Sequence, residues 1–235
     1  MSDEAVDQLV KDIDANGYAV VPSILSGVTL TRVERFVQQA VSQTGGNYAC
    51  FVGPEAVPGT GLDGLGAAPQ FRKLVRRIYS AASGREAPDQ DFYQLLRCLA
   101  GAGIKEHSYY FHYDSYVLTV VIPIELPRQG AAGDLIMFRN FRSLRSNYYL
   151  NLVDKILIDN PLTQMLLRIA VRKNVLKPTR VHMEVGNAYF FWGYRSLHTN
   201  EPCDDRSVRA TAVYHYLNPH SRSALERRQS SHVLN

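Results

Sequence analysis

The sequence predicts an α+β protein with a mainly β-sheet core. The front of the chain favours helices, because apolar residues recur at helical spacing from about 30 to 41 and from about 70 to 82. From residue 108 onward, runs rich in tyrosine, valine and isoleucine are typical of strands. A helical insert at about 143–174 interrupts this part, with two amphipathic stretches that meet at Asn160 and Pro161.

Several segments are predicted to form strands. Residues 18–25 contain Pro22, which places their strand at a sheet edge or ends it there. The run VLTVVIPI is almost continuously apolar, as expected of a strand that is buried on both faces. The segments DLIMF, NAYFFWGY and RATAVYHYL predict three further strands. Residues 91–99 fit a helix or a strand equally well.

Length, composition and charge exclude several classes of protein. The 235 residues favour a single domain that spans 1–235. With 46% hydrophobic and 20% charged residues, the chain has the composition of a soluble globular protein. Its net charge of +4 is too small to indicate a basic surface for binding nucleic acid, so no such partner is expected. That charge remains compatible with an acidic small molecule or an anionic membrane surface.

The chain carries no pattern for export or for membrane insertion. Its N-terminus is acidic and helix-like, unlike a secretory signal. The most apolar stretch, 150–175, is interrupted by charged residues and by Pro161, so no transmembrane segment is expected. Three widely separated cysteines do not suggest a disulfide framework. We therefore expect a cytoplasmic protein, whose oligomeric state the sequence does not specify.

A glycine-rich loop contains the pattern GxGxxG at Gly59, Gly61 and Gly64. A dinucleotide-binding turn needs a strand directly before this pattern and a helix directly after it. Here Pro58 stands where the strand should end, and the next helix begins only after Pro69. The sequence therefore argues against nucleotide binding by this loop.

Two histidines and one aspartate form the candidate metal site. His112 and Asp114 are two residues apart at the start of the buried strand, so an extended chain directs both side chains to one face. His198 follows a later strand and turn. Two histidines and a carboxylate on adjacent strand ends form the facial triad of non-haem Fe(II) oxygenases, which leaves coordination positions open. A rival pair, His182 and Glu184, has the same spacing.

An arginine downstream of His198 is a candidate for binding a dicarboxylate cosubstrate. Arg209 begins the last strand and Thr211 lies on the same face, so a guanidinium fork and a hydroxyl can act together. Arg206 competes for this role but lies in a predicted loop. Asn200, close after His198, is a further candidate.

These residues belong to segments that resemble the Fe(II)/2-oxoglutarate-dependent dioxygenases, most nearly the phytanoyl-CoA dioxygenase-like branch. The resemblance runs from GYAVVPSILS, through FHYD and GDLIMF, to GNAYFFWGYRSLHTNEPCDDRSVRATAVYHY. It implies a double-stranded β-helix, a cupin-like jelly roll, with flanking helices. It also implies Fe(II) on His112, Asp114 and His198, and 2-oxoglutarate on Arg209, helped by Thr211 or Asn200, with O2 as the second cosubstrate.

The resemblance implies hydroxylation of an unactivated C–H bond in a small-molecule substrate, with release of succinate and CO2. An anionic or a lipid-like molecule is a candidate substrate. The alternative is a noncatalytic jelly-roll protein that binds a metal or ligand, as a sensor would.

The substrate side is less defined. Trp192 and Tyr194 are candidate pocket walls or core aromatics, and Arg195 is a candidate partner for an anionic substrate group. The insert at 143–174 departs from the family and combines apolar stripes with a following basic run. It is a candidate lid over the site, and packing on the barrel or a dimer contact is the alternative.

Overall fold

A computed structural model of the chain describes residues 1–143, 148–204 and 206–219, without the side chains of 148–151. The helices in these ranges are α1 Asp3–Asn16, α2 Gly27–Gln43, α3 Leu62–Leu65, α4 Pro69–Ser83, α5 Gly103–Glu106, α6 Tyr148–Asp159 and α7 Pro161–Arg172. The strands are β1 Ala19–Val21, β2 Ala49–Val52, β3 Tyr93–Leu99, β4 Leu118–Glu125, β5 Leu135–Phe138, β6 Thr179–Val181, β7 Ala188–Phe191, β8 Leu197–Asn200 and β9 Arg209–Tyr216. Every helix in the described ranges is too short or too polar to traverse a lipid bilayer.

The strands form two antiparallel sheets. The larger sheet has the order β1-β7-β4-β9-β3-β2, and the smaller sheet has the order β6-β5-β8. All pairings between these strands are antiparallel. This arrangement confirms the predicted α+β class with a mainly β core.

Alternation along β4 and β9 gives the larger sheet two different faces. On one face, Val120 of β4 and Ala212 of β9 belong to a cluster that includes residues of α1, α2 and α4. On the other face, Val121 and Val213 belong to a cluster with residues of the smaller sheet. Both faces are therefore buried, which explains why the β4 sequence is almost continuously apolar.

The site lies on the inner face, between the two sheets. The strand period of two directs Arg209, Thr211, Val213 and His215 of β9 to this face. In the register of β3 and β9, Arg97 is the partner of Thr211, so alternation places Arg97 on the inner face too. The topology thus brings polar side chains of β3 and β9 together inside the protein.

The structure confirms several of the predicted elements and settles one ambiguous segment. Strand β1 lies at an edge of the larger sheet, as Pro22 predicted. Residues 91–99, which fitted a helix or a strand, contain β3. Strand β7 ends at Phe191, so the following segment from Trp192 onward is a turn and not the rest of a strand.

The insert consists of two helices, as predicted, and it is fastened to the chain next to His112. The side chain of Gln164 on α7 is buried. Its Oε1 accepts a hydrogen bond from the Phe111 N–H at 2.9 Å, and its Nε2 donates to the Phe111 carbonyl at 2.7 Å. The Asn160 side chain caps α7 by accepting a hydrogen bond from the Leu162 N–H. The insert therefore lies beside the candidate site.

The glycine-rich loop is occupied by one of its own side chains. The Asp63 carboxylate accepts hydrogen bonds from the N–H groups of Gly59 and Gly61, each at 2.8 Å. These bonds hold the pKa of Asp63 below its usual value, and the bond from Gly59 has the largest effect. Two amides that a phosphate-binding loop would present to a ligand are thus already bonded within the chain.

We expect Phe190→Ala to lower the free energy of unfolding by about 3–5 kcal/mol, because truncating a buried aromatic side chain leaves a cavity. Phe190 is 0% exposed in the cluster beneath the helices. Phe141, which is 68% exposed, is the matched control, and Phe141→Ala should change the value by roughly 0.5 kcal/mol at most. Urea denaturation followed by circular dichroism measures both. Equal effects of the two substitutions would contradict this account of the core.

Candidate metal centre

A pair of reciprocal backbone hydrogen bonds brings the two candidate histidines together. The His112 N–H donates to the His198 carbonyl and the His198 N–H donates to the His112 carbonyl, each at 3.0 Å. This isolated antiparallel bridge joins the segment before β4 to β8. The two imidazole ring centroids are 4.4 Å apart. Residues that are distant in the sequence therefore present their rings side by side.

The carboxylate of Asp114 completes the group. Its Oδ1 lies 3.7 Å from His112 Nε2, and its Oδ2 lies 3.6 Å from His198 Nε2. The three donor atoms are all within 4.8 Å of one another. Among the described residues, this is the one cluster of three histidine, cysteine, aspartate or glutamate side chains that could share an ion.

The orientation of both imidazoles is fixed by backbone carbonyls. His112 Nδ1 lies 2.9 Å from the Tyr110 carbonyl, and His198 Nδ1 lies 2.9 Å from the Ser196 carbonyl. A carbonyl oxygen only accepts hydrogen bonds, so each Nδ1 must carry the proton. The lone pair of each Nε2 is then directed toward Asp114 and is available to a metal.

Desolvation favours the neutral, metal-binding form of His112, whose side chain is half-buried. Desolvation, followed by the effect of His198, lowers the pKa of His112 to about 4. The side chain is neutral at pH 7, as a ligand imidazole must be.

Asp114 is held in its ionised form by its surroundings. Burial alone would raise the pKa of this carboxyl group, but His198, His215, His112 and a hydrogen bond from Thr119 outweigh it and lower the pKa. The Thr119 hydroxyl donates to Oδ2, and His215 Nδ1 lies 3.1 Å from the same hydroxyl oxygen. The Asp114 carboxylate is thus ionised at neutral pH and held in a fixed orientation.

Gly193 is required by the close approach of this carboxylate. A Cβ atom at position 193 would lie 2.2 Å from Asp114 Oδ2 and 2.3 Å from Thr119 Oγ1, far inside contact distance. The Gly193 carbonyl also accepts a hydrogen bond from the Asp114 N–H at 3.0 Å. The turn after β7 therefore positions the acidic ligand.

The candidate cosubstrate residues share one cavity with the triad. This inner cavity, of about 80 Å³, is lined by all three triad residues and by Arg209, Thr211 and Asn200. Arg209 is buried, and its Nε donates to the Gly133 carbonyl at 2.9 Å. Among the described residues, no carboxylate lies within ion-pair distance of its guanidinium group.

Arg209 remains a cation despite its burial. Desolvation lowers its pKa to about 10, which is still well above neutral pH. Arg206, the competing arginine, is exposed in the loop before β9, as its sequence context predicted. The structure thus brings Arg209 to the inner cavity and leaves Arg206 outside it.

A second, outer cavity of about 340 Å³ adjoins the first at Arg97 and His112. Its other lining residues are Tyr110 and Tyr113 from the segment around His112, and Lys155, Ile158 and Asp159 from α6. A larger cavity, of about 460 Å³, lies against α4, away from the triad, where Arg72 and Arg76 pair with Asp89.

The three predicted substrate residues lie away from both cavities. Trp192 is buried in the helix-side core and donates from Nε1 to Asp14 at 2.9 Å. The Arg195 guanidinium faces the same carboxylate at 3.8 Å. The Tyr194 ring is buried beneath the Arg142 guanidinium. Because β7 ends before Trp192, side chains in this turn do not follow the alternation that would have directed them to the site.

The rival metal pair does not converge. The His182 side chain is exposed and its Nδ1 lies 3.0 Å from Asp134 Oδ1. Glu184 instead accepts a hydrogen bond from the Asn187 side chain. Neither residue joins a three-ligand cluster within the described ranges.

Four residues of the site were missed by sequence reasoning: Arg97, Thr119, Gly193 and His215. Thr119 and His215 lie on the inner face of β4 and β9, so the alternation that identified Thr211 could have found them. Arg97 could not be placed, because its segment fitted a helix as well as a strand. The role of Gly193 depends on a contact between distant segments, which no local pattern reveals.

No protein-family model matches the sequence, and no curated protein matches it. Solved structures, in contrast, match it along nearly its whole length. A prolyl hydroxylase from Trichoplax adhaerens, in complex with a hypoxia inducible factor oxygen degradation domain peptide fragment, is 14% identical with a TM-score of 0.59. That match covers 94% of this chain and 93% of the hydroxylase.

Two further structures agree with this match. A Pseudomonas putida prolyl-4-hydroxylase is 12% identical with a TM-score of 0.55, and the match covers 90% of this chain and 98% of that one. The non-heme α-ketoglutarate-dependent epimerase SnoN, from nogalamycin biosynthesis, is 12% identical with a TM-score of 0.56, and the match covers 92% and 84%. The resemblance inferred from the sequence is therefore confirmed at the level of fold: the chain has the jelly roll of these prolyl hydroxylases and this epimerase, and its His112, Asp114 and His198 cluster fits an Fe(II)/2-oxoglutarate oxygenase.

Proposed function

We propose that this protein is an Fe(II)- and 2-oxoglutarate-dependent oxygenase that hydroxylates an unactivated C–H bond of a small molecule. One observation carries the proposal. The inner cavity is lined by three side chains that could bind a metal, those of His112, Asp114 and His198. The same cavity is lined by Arg209, which has no carboxylate partner among the described residues. A site that only stored a metal would have no use for a buried cation beside it.

The donor set fits Fe(II). Two neutral imidazole nitrogens and one carboxylate oxygen are the ligands of non-haem iron oxygenases, which keep further positions for cosubstrate and O2. His112, Asp114 and His198 would hold the ion. Thr119 and Gly193 keep the carboxylate in place, and the Tyr110 and Ser196 carbonyls keep the two rings in place.

Arg209 would bind the distal carboxylate of 2-oxoglutarate. Its planar guanidinium group can form two parallel hydrogen bonds to a carboxylate, and burial strengthens such a charged pair. Thr211, two residues along β9, and Asn200 offer neutral polar groups in the same cavity. When bound, iron, 2-oxoglutarate and O2 supply the oxidising chemistry, with release of succinate and CO2.

The chain's own residues would shield the reaction from water. Val121, Leu135, Met183, Phe191 and Val213 line the inner cavity beside the polar groups. All five are buried. An apolar wall around a few polar groups is typical of enzymes that exclude solvent from a reactive centre.

The outer cavity would hold the substrate, because it adjoins the inner cavity at His112. Its two cationic side chains, Arg97 and Lys155, favour a substrate with an anionic group. Within the described residues neither forms an ion pair with a carboxylate, and Lys155 Nζ donates to Ser115 Oγ at 2.6 Å. The rings of Tyr110 and Tyr113 favour an aromatic or otherwise apolar body.

We expect the wild-type protein to bind one Fe(II) per chain, and His112→Ala to abolish stoichiometric binding because one of three ligands is lost. His182→Ala is the matched control, since His182 is an exposed histidine outside the cluster. Anaerobic Fe(II) titration measures binding, and circular dichroism checks folding. Unchanged iron binding by His112→Ala would place the metal elsewhere. Iron binding by the wild type without succinate release in any condition would favour the noncatalytic alternative.

We expect Arg209→Lys to raise the 2-oxoglutarate concentration required for half-maximal succinate release by roughly tenfold or more, because lysine offers no bidentate fork. Arg206→Lys is the control, because Arg206 is exposed outside the cavity. It should leave this concentration unchanged. Equal responses of the two variants would contradict the assignment of Arg209.

We expect Lys155→Met to weaken binding of 3-phenylpropanoate by about tenfold, the loss typical of one hydrogen bond to a charged group. Binding of 3-phenylpropanamide, which has the same body without the charge, should not change. Ligand-observed NMR on the 2-oxoglutarate-loaded protein measures both, without requiring turnover. Equal losses for the acid and the amide would show that Lys155 does not select for charge.

A further inference from the structure

Eight of the 18 large apolar residues that are exposed within the described ranges lie on the two helices of the insert. On α6, the side chains of Leu152, Val153, Ile156 and Leu157 are 40–61% exposed. Their spacing is that of one helix face. Yet α6 also borders the outer cavity, through Lys155, Ile158 and Asp159, so the exposed face is a different one. A lid, which is one of the alternatives that the sequence leaves open, would turn its apolar residues inward, whereas these four are exposed.

Helix α7 repeats the pattern. Leu162, Met165, Leu166 and Ile169 recur at positions i, i+3, i+4 and i+7 and are 44–59% exposed. The opposite side of α7 is held to the body of the protein by buried Gln164 and Val171. Exposed apolar residues grouped along one face of each helix point to an interaction site, because exposed apolar residues scattered singly are normal but groups of them are not.

The charge around this surface identifies the kind of partner. From 148 to 183 the chain has six arginines and lysines and two aspartates, Asp154 and Asp159, and both aspartates lie on α6. Arg168 and Arg180 are engaged by the Tyr109 carbonyl and by Glu201. Lys173 and Lys177 are exposed, and the described residues place no carboxylate within ion-pair distance of either. An apolar helix face next to lysines is the pattern of helices that lie in the interface of an anionic bilayer.

The same charge argues against two other occupants. A symmetric dimer through this face would bring the identical basic segments of two copies close to each other, which costs electrostatic energy. The C-terminal sequence 220–235, which lies outside the described residues, carries three arginines and one glutamate. It is therefore cationic as well and complements this surface poorly.

We propose that the exposed face of α6 and α7, which we call the insert face, docks on an anionic lipid bilayer. Docking would bury the eight apolar side chains at the level of the lipid headgroups and place Lys173 and Lys177 beside headgroup charges. Since α6 also walls the outer cavity, the docked protein would hold that cavity close to the bilayer surface. The proposal rests on exposure and charge and does not depend on the proposed catalytic function.

Vesicle co-sedimentation with the full-length protein tests the contribution of the exposed apolar side chains to membrane binding. We expect binding to vesicles of phosphatidylcholine with phosphatidylserine and much weaker binding to phosphatidylcholine alone. Leu166→Asp should reduce the partition coefficient by roughly tenfold or more, since it removes an inserted leucine and adds a repelled charge. Val28→Asp, at a residue that is 68% exposed on α2, is the matched control and should bind as the wild type does.

A second pair of variants tests the contribution of the two exposed lysines. The double variant Lys173→Gln, Lys177→Gln should bind the phosphatidylserine vesicles about tenfold more weakly and lose part of the salt dependence. Lys11→Gln, Lys73→Gln removes the same charge from exposed positions outside the insert and should have no effect. The circular dichroism spectrum and the thermal unfolding midpoint should be unchanged in every variant, which excludes misfolding as the cause.

Three results would overturn the proposal. The first is no binding of the wild type to phosphatidylserine vesicles, and the second is equal binding by Leu166→Asp and the wild type. The third is a wild-type dimer in sedimentation equilibrium that Leu166→Asp converts to a monomer, without vesicle binding by either. That result would assign the insert face to a second copy of the chain.

Discussion

The two backbone hydrogen bonds between His112 and His198 are the constraint on which the site depends. They join the segment before β4 of the larger sheet to β8 of the smaller sheet. They thereby fix the distance between the two candidate histidine ligands. Asp114 follows from the same constraint, because its position two residues after His112 directs it to the same side of the chain. A strand-pairing error at this bridge would scatter all three ligands while leaving most of the apolar core intact.

Strands β4 and β9 serve the core and the site together. Their outer faces pack beneath the helices, and their inner faces carry Thr119, Arg209, Thr211 and His215. Strands hold functional groups in a more precise geometry than loops do. The outward side chains therefore contribute to function indirectly, since any shift that relieved a packing defect in the helix-side cluster would also move the groups that face the cavity.

The sequence was informative wherever one period or one residue type was decisive. The apolar run of β4 requires burial on both faces, and the spacing of His112 and Asp114 requires a common side. Prediction failed where the same stretch of sequence was compatible with more than one local structure. Arg97 lies in a segment with no clear period, and Trp192 follows a strand that ends one residue earlier than its apolar run. The exposure of the insert could not be predicted either, because an amphipathic stripe looks the same whether it faces a core or solvent.

Gly193 gives the site an evolutionary asymmetry. The glycine and the Asp114 carboxylate occupy adjoining space so closely that a methyl group at position 193 would overlap the carboxylate oxygen. A lineage that lost the carboxylate could accept a side chain at position 193 once the Thr119 hydroxyl, which the same methyl group would overlap, had also moved. Once it had done so, restoring the aspartate alone would recreate the overlap, so the metal site could return only through two substitutions together. Loss of the three-residue cluster along this route would thus be hard to reverse.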